Sequence, residues 1–395
     1  MNIHATNAAD TEGQATYDEI LRVVREFAAK EIAPRASEID EKDQWPTDIW
    51  NRFVELGLLG LRVPEEFGGS RVPVQVTARV FEEVSKASAM AGLTVASVVE
   101  WLLPIVAFAH EDLRNEALQR VMFNGEVPCL CITEPSGGSD ATAMKTRAVQ
   151  KENGDWVING QKAWCSFGAI GGIFLVFAVT DPDARKSRRL SAFLIDAKTK
   201  GLNVGRNEKK IGLKGIPLNP VEFDDVVVSQ ARMVGERGQG LAVAMHLLNE
   251  SRVGVAAQCV GLAQFAMERA AAYAMERVAF GVPIIEHQAV QMMLADMVIR
   301  TESARALTQR AALAYDTDAP ECLMLAAAAK AASTDNAVTT ALDSIQIHGA
   351  NGLMHPYEVE RVLRDAKGFQ IFEGTNQIMR VTIAKTLAGK LSKGA

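Results

Sequence analysis

Cysteine is scarce and shows no pairing pattern. The 395 residues contain five, Cys129, Cys131, Cys165, Cys259 and Cys322. An odd number, without metal-ligand spacing, supports neither a disulfide framework nor a zinc site, so the thiols are expected to be reduced. Cys129 and Cys131 stand two apart in an apolar run, which places them on one face of a strand as packing residues. Positive charge is not in excess either: 42 Lys and Arg against 48 Asp and Glu leave a net charge of −6. That balance argues against nucleic acid or an anionic membrane as a partner. No apolar run is read as approaching the roughly 20 residues that cross a bilayer. The first residues are acidic (Asp10, Glu12, Asp18, Glu19) and lack a signal core or an Arg-rich amphipathic segment, so a cytoplasmic chain is expected. Also missing are a G-x-x-x-x-G-K-[ST] loop, a strand–G-x-G-x-x-G–helix unit and a G-x-S-x-G elbow; Gly235, Gly238 and Gly240 cluster at the wrong spacing. Kinase, nicotinamide and hydrolase readings lose support accordingly.

What is present is an ordinary globular composition, 48% hydrophobic and 23% charged, in a chain long enough for two or three domains. Apolar residues recur at helical spacing over Tyr17–Ile39, Ile49–Leu59, Val74–Met90 and Leu93–Phe108. At Pro128 the pattern changes to short runs rich in Val, Ile, Phe and Trp: Cys129–Thr133, Met144–Val149, Trp156–Ile158, Ile173–Val179, Leu190–Ile195 and Val221–Val228. Asn153-Gly154 and Asn159-Gly160 read as hairpin punctuation between them. After Gly240 long helical stretches return, Leu241–Val278, Glu286–Tyr315 and Pro320–His348. The prediction is an α+β fold, mostly α: an N-terminal helical domain (1–128), a middle antiparallel β-domain (129–235) and a C-terminal helical bundle (236–395).

Six features carry chemistry. Glu373 is a lone carboxylate in the apolar stretch Phe369–Gln377; burial there would raise its pKa toward that of a general base, while the helix capped by Thr375 would pull the other way. Thr133–Asp140 is a loop of hydroxyls with two glycines, suited to a phosphorylated or planar ligand or simply a polar turn. Trp164 and Ser166 share a strand face by period two, as a ring-stacking pair or as core. Arg252 falls on the apolar seam Leu241, Met245, Leu248, Val255, Cys259, Leu262, where it needs a phosphate, a carboxylate or a structural partner. Glu276–Pro283, with His287-Gln288 beyond, ends a helix with a cation and an aromatic, and Gln346–Gly352 ends another at a glycine cap.

In this order and spacing the segments resemble the acyl-CoA dehydrogenase family, from about Tyr17 to Leu391. The resemblance implies three domains ending in a four-helix bundle, with FAD held between sheet and bundle and completed by a neighbouring subunit of a homotetramer, a dimer of dimers. By that resemblance Thr133 and Ser139 meet the flavin and its pyrophosphate, Trp164 and Ser166 lie along the ring, and Thr375 and Gln377 are further FAD contacts. Arg277, Phe280 and Gln288 grip FAD across the dimer contact, and Gln346 and Gly349 reach its adenosine half. Ser139, Arg252 and Gly374 match positions that meet the CoA ester, and Glu373 matches the base that removes the α-proton while the β-hydride goes to flavin N5. The implied substrate is an acyl-CoA, the implied acceptor an electron-transfer flavoprotein. Phe372 replaces a common Tyr, and Glu100 and Trp101 fall where helices shape the acyl tunnel, a bulky Trp favouring a short or unusual acyl group. A non-redox CoA-thioester lyase or desulfinase on the same scaffold is the alternative; relatives of that kind often lose the base, which Glu373 argues against. A silent helical partner protein is a third reading, weakened by every flavin segment being kept.

Overall fold

A computed structural model describes residues 8–393. The helices of the first third are α1 (Ala8–Phe27), α2 (Ala36–Lys42), α3 (Thr47–Glu55), α4 (Val74–Ala87), α5 (Ala89–Phe108) and α6 (Glu111–Leu118). The periodic run that reads as one helix to Ile39 is divided in two: Pro34 lacks an N–H, and the chain passes through a π turn and a 3₁₀ turn at Ala28–Arg35 before α2 resumes.

Helix α5 corrects the reading that no apolar run nears membrane-spanning length. By length and composition its 20 residues could cross a bilayer, but 72% of its most apolar 18-residue window is buried inside the protein. A helix apolar on every side is a core helix when other elements surround it.

The sheet contains β1 (Pro128–Cys131), β2 (Arg147–Gln150), β3 (Trp156–Ser166), β4 (Ile173–Val179), β5 (Leu190–Asp196), β6 (Leu202–Val204), β7 (Leu218–Val228) and β8 (Met233–Val234). The spatial order is β6-β7-β3-β2-β4-β5-β8, with β1 also on β4. It is mixed rather than antiparallel: β4 runs parallel to β1 and touches β2 in parallel at Arg147–Val179. The long excursion between β1 and β2, which contains the Thr133–Asp140 loop, makes a hairpin impossible there. Asn153-Gly154 does turn the β2–β3 hairpin. Asn159-Gly160 does not turn: it lies within β3 at a register shift, with Gly160 at φ 143° and a Cβ there falling 2.7 Å from Thr146. The strand bulges instead of ending, and the Asn159 amide is held by Asp225 at 2.9 Å. Cys129 and Cys131 do share a face, their sulfurs 3.9 Å apart in the sheet's core, and all five cysteines are free.

The last third is α7 (Gly240–Glu276), a two-residue hairpin of β9 (Val278–Ala279) and β10 (Val282–Pro283), then α8 (Gln288–Asp316), α9 (Cys322–His348), α10 (Val359–Phe369) and α11 (Asn376–Lys393). Helix α7 packs on α4, α5, α8 and α9 and so forms the spine of both helical layers. The sheet is fastened to these layers at named points. Trp45 meets Phe167 edge-on at 5.5 Å, the Trp101 indole N–H donates to the Cys129 carbonyl at 3.3 Å, and the Leu213 N–H donates to Asp365 at 2.5 Å. Trp101 is therefore committed to the sheet and is core, against the expectation that it narrows an acyl tunnel.

Candidate active site

Six residues connect α10 to α11, and Glu373 stands among them in a left-handed conformation (φ 53°), followed by Gly374 at φ 94°. A non-glycine residue there is strained and must be held by its surroundings. The holding groups are visible. Thr375 caps α11, its Oγ1 accepting from the Ile378 N–H at 3.2 Å. A Cβ on Gly374 would come 2.6 Å from the Met379 methyl, and its φ of 94° is strained for any other residue. Behind the loop, the Lys330 ammonium is fully buried and donates to the Gly374 carbonyl at 2.8 Å and to Asn376 Oδ1 at 3.1 Å. Asn376 and Gln370 both donate to Asp335 Oδ1 at 2.7 Å, closing a network from α9 to both ends of the loop.

The Glu373 carboxylate points into the protein: its Oε2 is buried and has no hydrogen-bond partner. Burial pushes its pKa up; the Ser251 hydroxyl, Lys330 and Arg252 pull it back part of the way. Arg252 is 7% exposed, donates to Asn249 at 2.9 Å, and leaves its Nε unpartnered. The seam reading is thus correct that Arg252 is buried and in need of a partner, and Asn249 meets only part of that need. Glu100 on α5 is in electrostatic reach of Glu373 as well. The site is a basic carboxylate in a dry setting, flanked by two cations and a second acid.

The structure brings Thr133 beside Trp164. The Thr133 carbonyl accepts from the Ala163 N–H at 2.9 Å, so the loop after β1 runs along β3 next to the indole. The loop's root is fixed by a buried ion pair: Glu134 accepts from Lys162 at 3.1 Å and from the backbone of Lys145 and Thr146 at 2.6 and 2.8 Å. Beyond that root the loop opens outward, with Gly137 at φ 141° facing free space and Ser139 exposed. Trp164 is 55% exposed at φ 54°, inside a second register shift of β3, with Ser166 half-buried two residues on. A large exposed indole held in a strained backbone, beside an exposed loop of glycines and hydroxyls, fits a planar ring joined to a pyrophosphate, which is what FAD presents.

A second group of expected contacts lies elsewhere. Arg277 caps the end of α7; Phe280 and Gly281, at φ 54° and 86°, form the two-residue turn of the β9–β10 hairpin; Gln288 opens α8. Phe280 is 97% exposed. Gln346 and Gly349 are exposed at the end of α9, and Ile347 between them shares a small apolar cluster with Ala270, Ala274, Met297, Ile284 and Ile285. Both motifs therefore sit at one end of the bundle, facing outward. Thr375 and Gln377 lie at the start of α11, Thr375 half-buried and Gln377 exposed.

Lys330 escaped the sequence reading. The signal was available: it is the single charge in the alanine-rich run Leu325–Ala332, on the buried face of a helix.

Models of the acyl-CoA dehydrogenase N-terminal, middle and C-terminal domains match residues 14–126, 129–226 and 238–388. An acyl-CoA dehydrogenase of Bacillus subtilis is 39% identical over 370 residues, 93% of this chain and 97% of the relative. A cyclohex-1-ene-1-carbonyl-CoA dehydrogenase of Syntrophus aciditrophicus is 39% identical over 389 residues, 97% and 92% of the two chains. The solved structure of butyryl-CoA dehydrogenase from Megasphaera elsdenii superposes with a TM-score of 0.91 at 31% identity, covering 98% of this chain and all of that one. Matches of this breadth mean that it belongs to the acyl-CoA dehydrogenase family and is a flavoprotein oxidoreductase using FAD.

Proposed function

We propose that this protein dehydrogenates an acyl-CoA thioester between Cα and Cβ to the trans-2-enoyl-CoA, with Glu373 as the base. The observation that carries this is the buried, unpartnered Oε2 of Glu373 in a loop whose backbone is strained at that residue. When bound, FAD accepts the β-hydrogen as hydride. The rest falls to the chain. Glu373 takes the α-proton; burial raises its affinity for that proton and excludes water that would compete for it. The loop presents the Glu373 N–H, and an N–H fixed in that way can stabilise the negative charge growing on the thioester oxygen. Arg252 and Lys330 keep enough positive field nearby for the carboxylate to ionise before reaction. Thr133, Ser139, Trp164 and Ser166 hold the flavin from the sheet side, Thr375 and Gln377 from the start of α11. Ser139, Arg252 and Gly374 meet the CoA ester.

The outward-facing residues Arg277, Phe280, Gln288, Gln346 and Gly349 complete the FAD site of a neighbouring subunit in this reading, in a homotetramer. A fully exposed Phe beside exposed Met275, Val278 and Met292 makes an apolar patch suited to assembly. An electron-transfer flavoprotein is the proposed acceptor, and the five free thiols suit the cytoplasm.

Purified protein is expected to be yellow, and an acyl-CoA added without oxygen should bleach the flavin band. A protein that binds FAD but is bleached by no member of an acyl-CoA panel would favour the non-redox lyase or desulfinase chemistry instead. Phe280→Ala should lower FAD occupancy several-fold and shift the mass by light scattering toward smaller species. A wild-type monomer that keeps its FAD would contradict the shared site.

A further inference from the structure

Glu100 is the only ionisable residue in the 20 of α5, and it is 4% exposed. Its Oε1 has no hydrogen-bond partner. Helix α7 is bare at the point where this carboxyl lies: a Cβ on Gly254 would come 2.1 Å from Oε1. Gly254 is three residues beyond Ser251, so Glu100 and Glu373 approach the same stretch of α7 from two elements. Around Glu100 is a small cavity whose walls include Phe81, Val99 and Val253 together with Arg62 and Glu250.

Among the described residues, no cation pairs with Glu100. Arg62 is paired with Glu250 at 2.8 Å and with the Val72 carbonyl at 2.6 Å, and Arg252 donates to Asn249. Burial, with the negative charges of Glu373 and Glu250 beside it, pushes its pKa well above the ordinary carboxylate range, toward the protonated form that offers a hydroxyl donor beside a carbonyl acceptor. Left unmade in the interior, such hydrogen bonds cost about 1–3 kcal/mol. A leucine would fill the place without that cost, so a bare acid here needs an occupant of the cleft as its partner.

We propose that Glu100 is a specificity-determining residue of the acyl cleft, selecting acyl groups that carry a hydrogen-bonding oxygen, a hydroxyl or a carbonyl remote from the thioester, over plain hydrocarbon chains. The proposal rests on the acyl-CoA dehydrogenase reading given above. It differs from a purely structural buried acid in one respect: exchange for an apolar side chain changes which substrate wins.

The test uses FAD-loaded wild type, E100Q and E100L, with hexanoyl-CoA and its 4-hydroxy, 5-oxo and 6-hydroxy counterparts, read by anaerobic flavin bleaching and by kcat/KM with an artificial acceptor. Wild type is expected to prefer at least one oxygenated ester over hexanoyl-CoA. E100L should cut that preference by roughly 10- to 100-fold, and E100Q, which still donates and accepts, should keep most of it. Should E100L lose its flavin, G254A gives the same readout, since its methyl displaces the Glu100 carboxyl. A wild type indifferent to the added oxygen, or an unchanged ratio in an active E100L, overturns the proposal and leaves the dehydrogenase reading standing. A flavin that no acyl-CoA bleaches overturns both.

Discussion

Glu373→Gln is expected to lower kcat/KM by about 10²–10⁴-fold, the span that a positioned general base supplies, while the protein keeps its FAD and its assembly. The side chains are nearly the same size, so the loop should persist; what is lost is the group that takes the proton. Stopped-flow bleaching measures the step directly, and an unchanged bleaching rate would remove Glu373 from the mechanism. The pH dependence separates charge from shape. Burial raises the folded pKa of Glu373 above its unfolded value, so kcat/KM of the wild type should rise with pH along a limb that lies above the usual carboxylate titration. Stability runs the opposite way. Below the unfolded pKa the carboxyl is protonated in both states and costs nothing extra; as pH climbs through the folded pKa the native state must hold a buried anion, and stability is lost. E373Q carries no such burden. Its melting temperature should therefore match the wild type's at the acid end and exceed it increasingly as pH rises from the unfolded to the folded pKa of Glu373, in the same window where wild-type activity is gained. A constant offset across that range would show that folding does not shift the carboxylate's pKa.

The features readable in the sequence share a physical trait: each is local. The helices α4 and α5 and the strands β4 and β5 appear within a few residues of their expected ends, because hydrophobic period and length alone determine them. The Glu373–Thr375 turn was legible for the same reason, a carboxylate, a glycine and a cap in sequence. Trp101 was misplaced because the side of α5 it faces depends on β1, whose Cys129 carbonyl lies 28 residues further on. Asn159-Gly160 has turn chemistry, yet pairing of β3 with β7 over 11 residues outweighed it. Parallel pairing of β1 with β4 leaves no short-range mark at all. Lys330 and Glu100 belong to this non-local class. Each is a lone charge in an apolar stretch of helix, and the chain alone does not tell whether such a charge faces solvent, a partner or a ligand.

Lys330→Met should separate stability from catalysis. The pKa of Lys330 is lowered to about 8, mainly by burial, and a drop of that size from its ordinary value corresponds to about 3 kcal/mol against the buried charge. Methionine removes that cost. It also leaves the Gly374 carbonyl without its side-chain donor, while Asn376 Oδ1 keeps Thr334, at about 1–3 kcal/mol for the orphaned carbonyl. The two effects are of similar size and opposite sign, so the melting temperature should move little. The loop loses its tether from α9 all the same. The Gly374 carbonyl lies one residue beyond Glu373, and a displacement of about 1 Å in a reacting group costs on the order of 10²-fold in rate. K330M is therefore expected to keep its fold and FAD, lose about two orders of magnitude in kcat, and change KM far less. Its acid limb should also move to higher pH, because Lys330 is one of the groups that hold the Glu373 pKa down. A variant with full kcat and an unmoved limb would show that the ammonium only fills space. A fallen kcat with an unmoved limb would assign it to orientation alone.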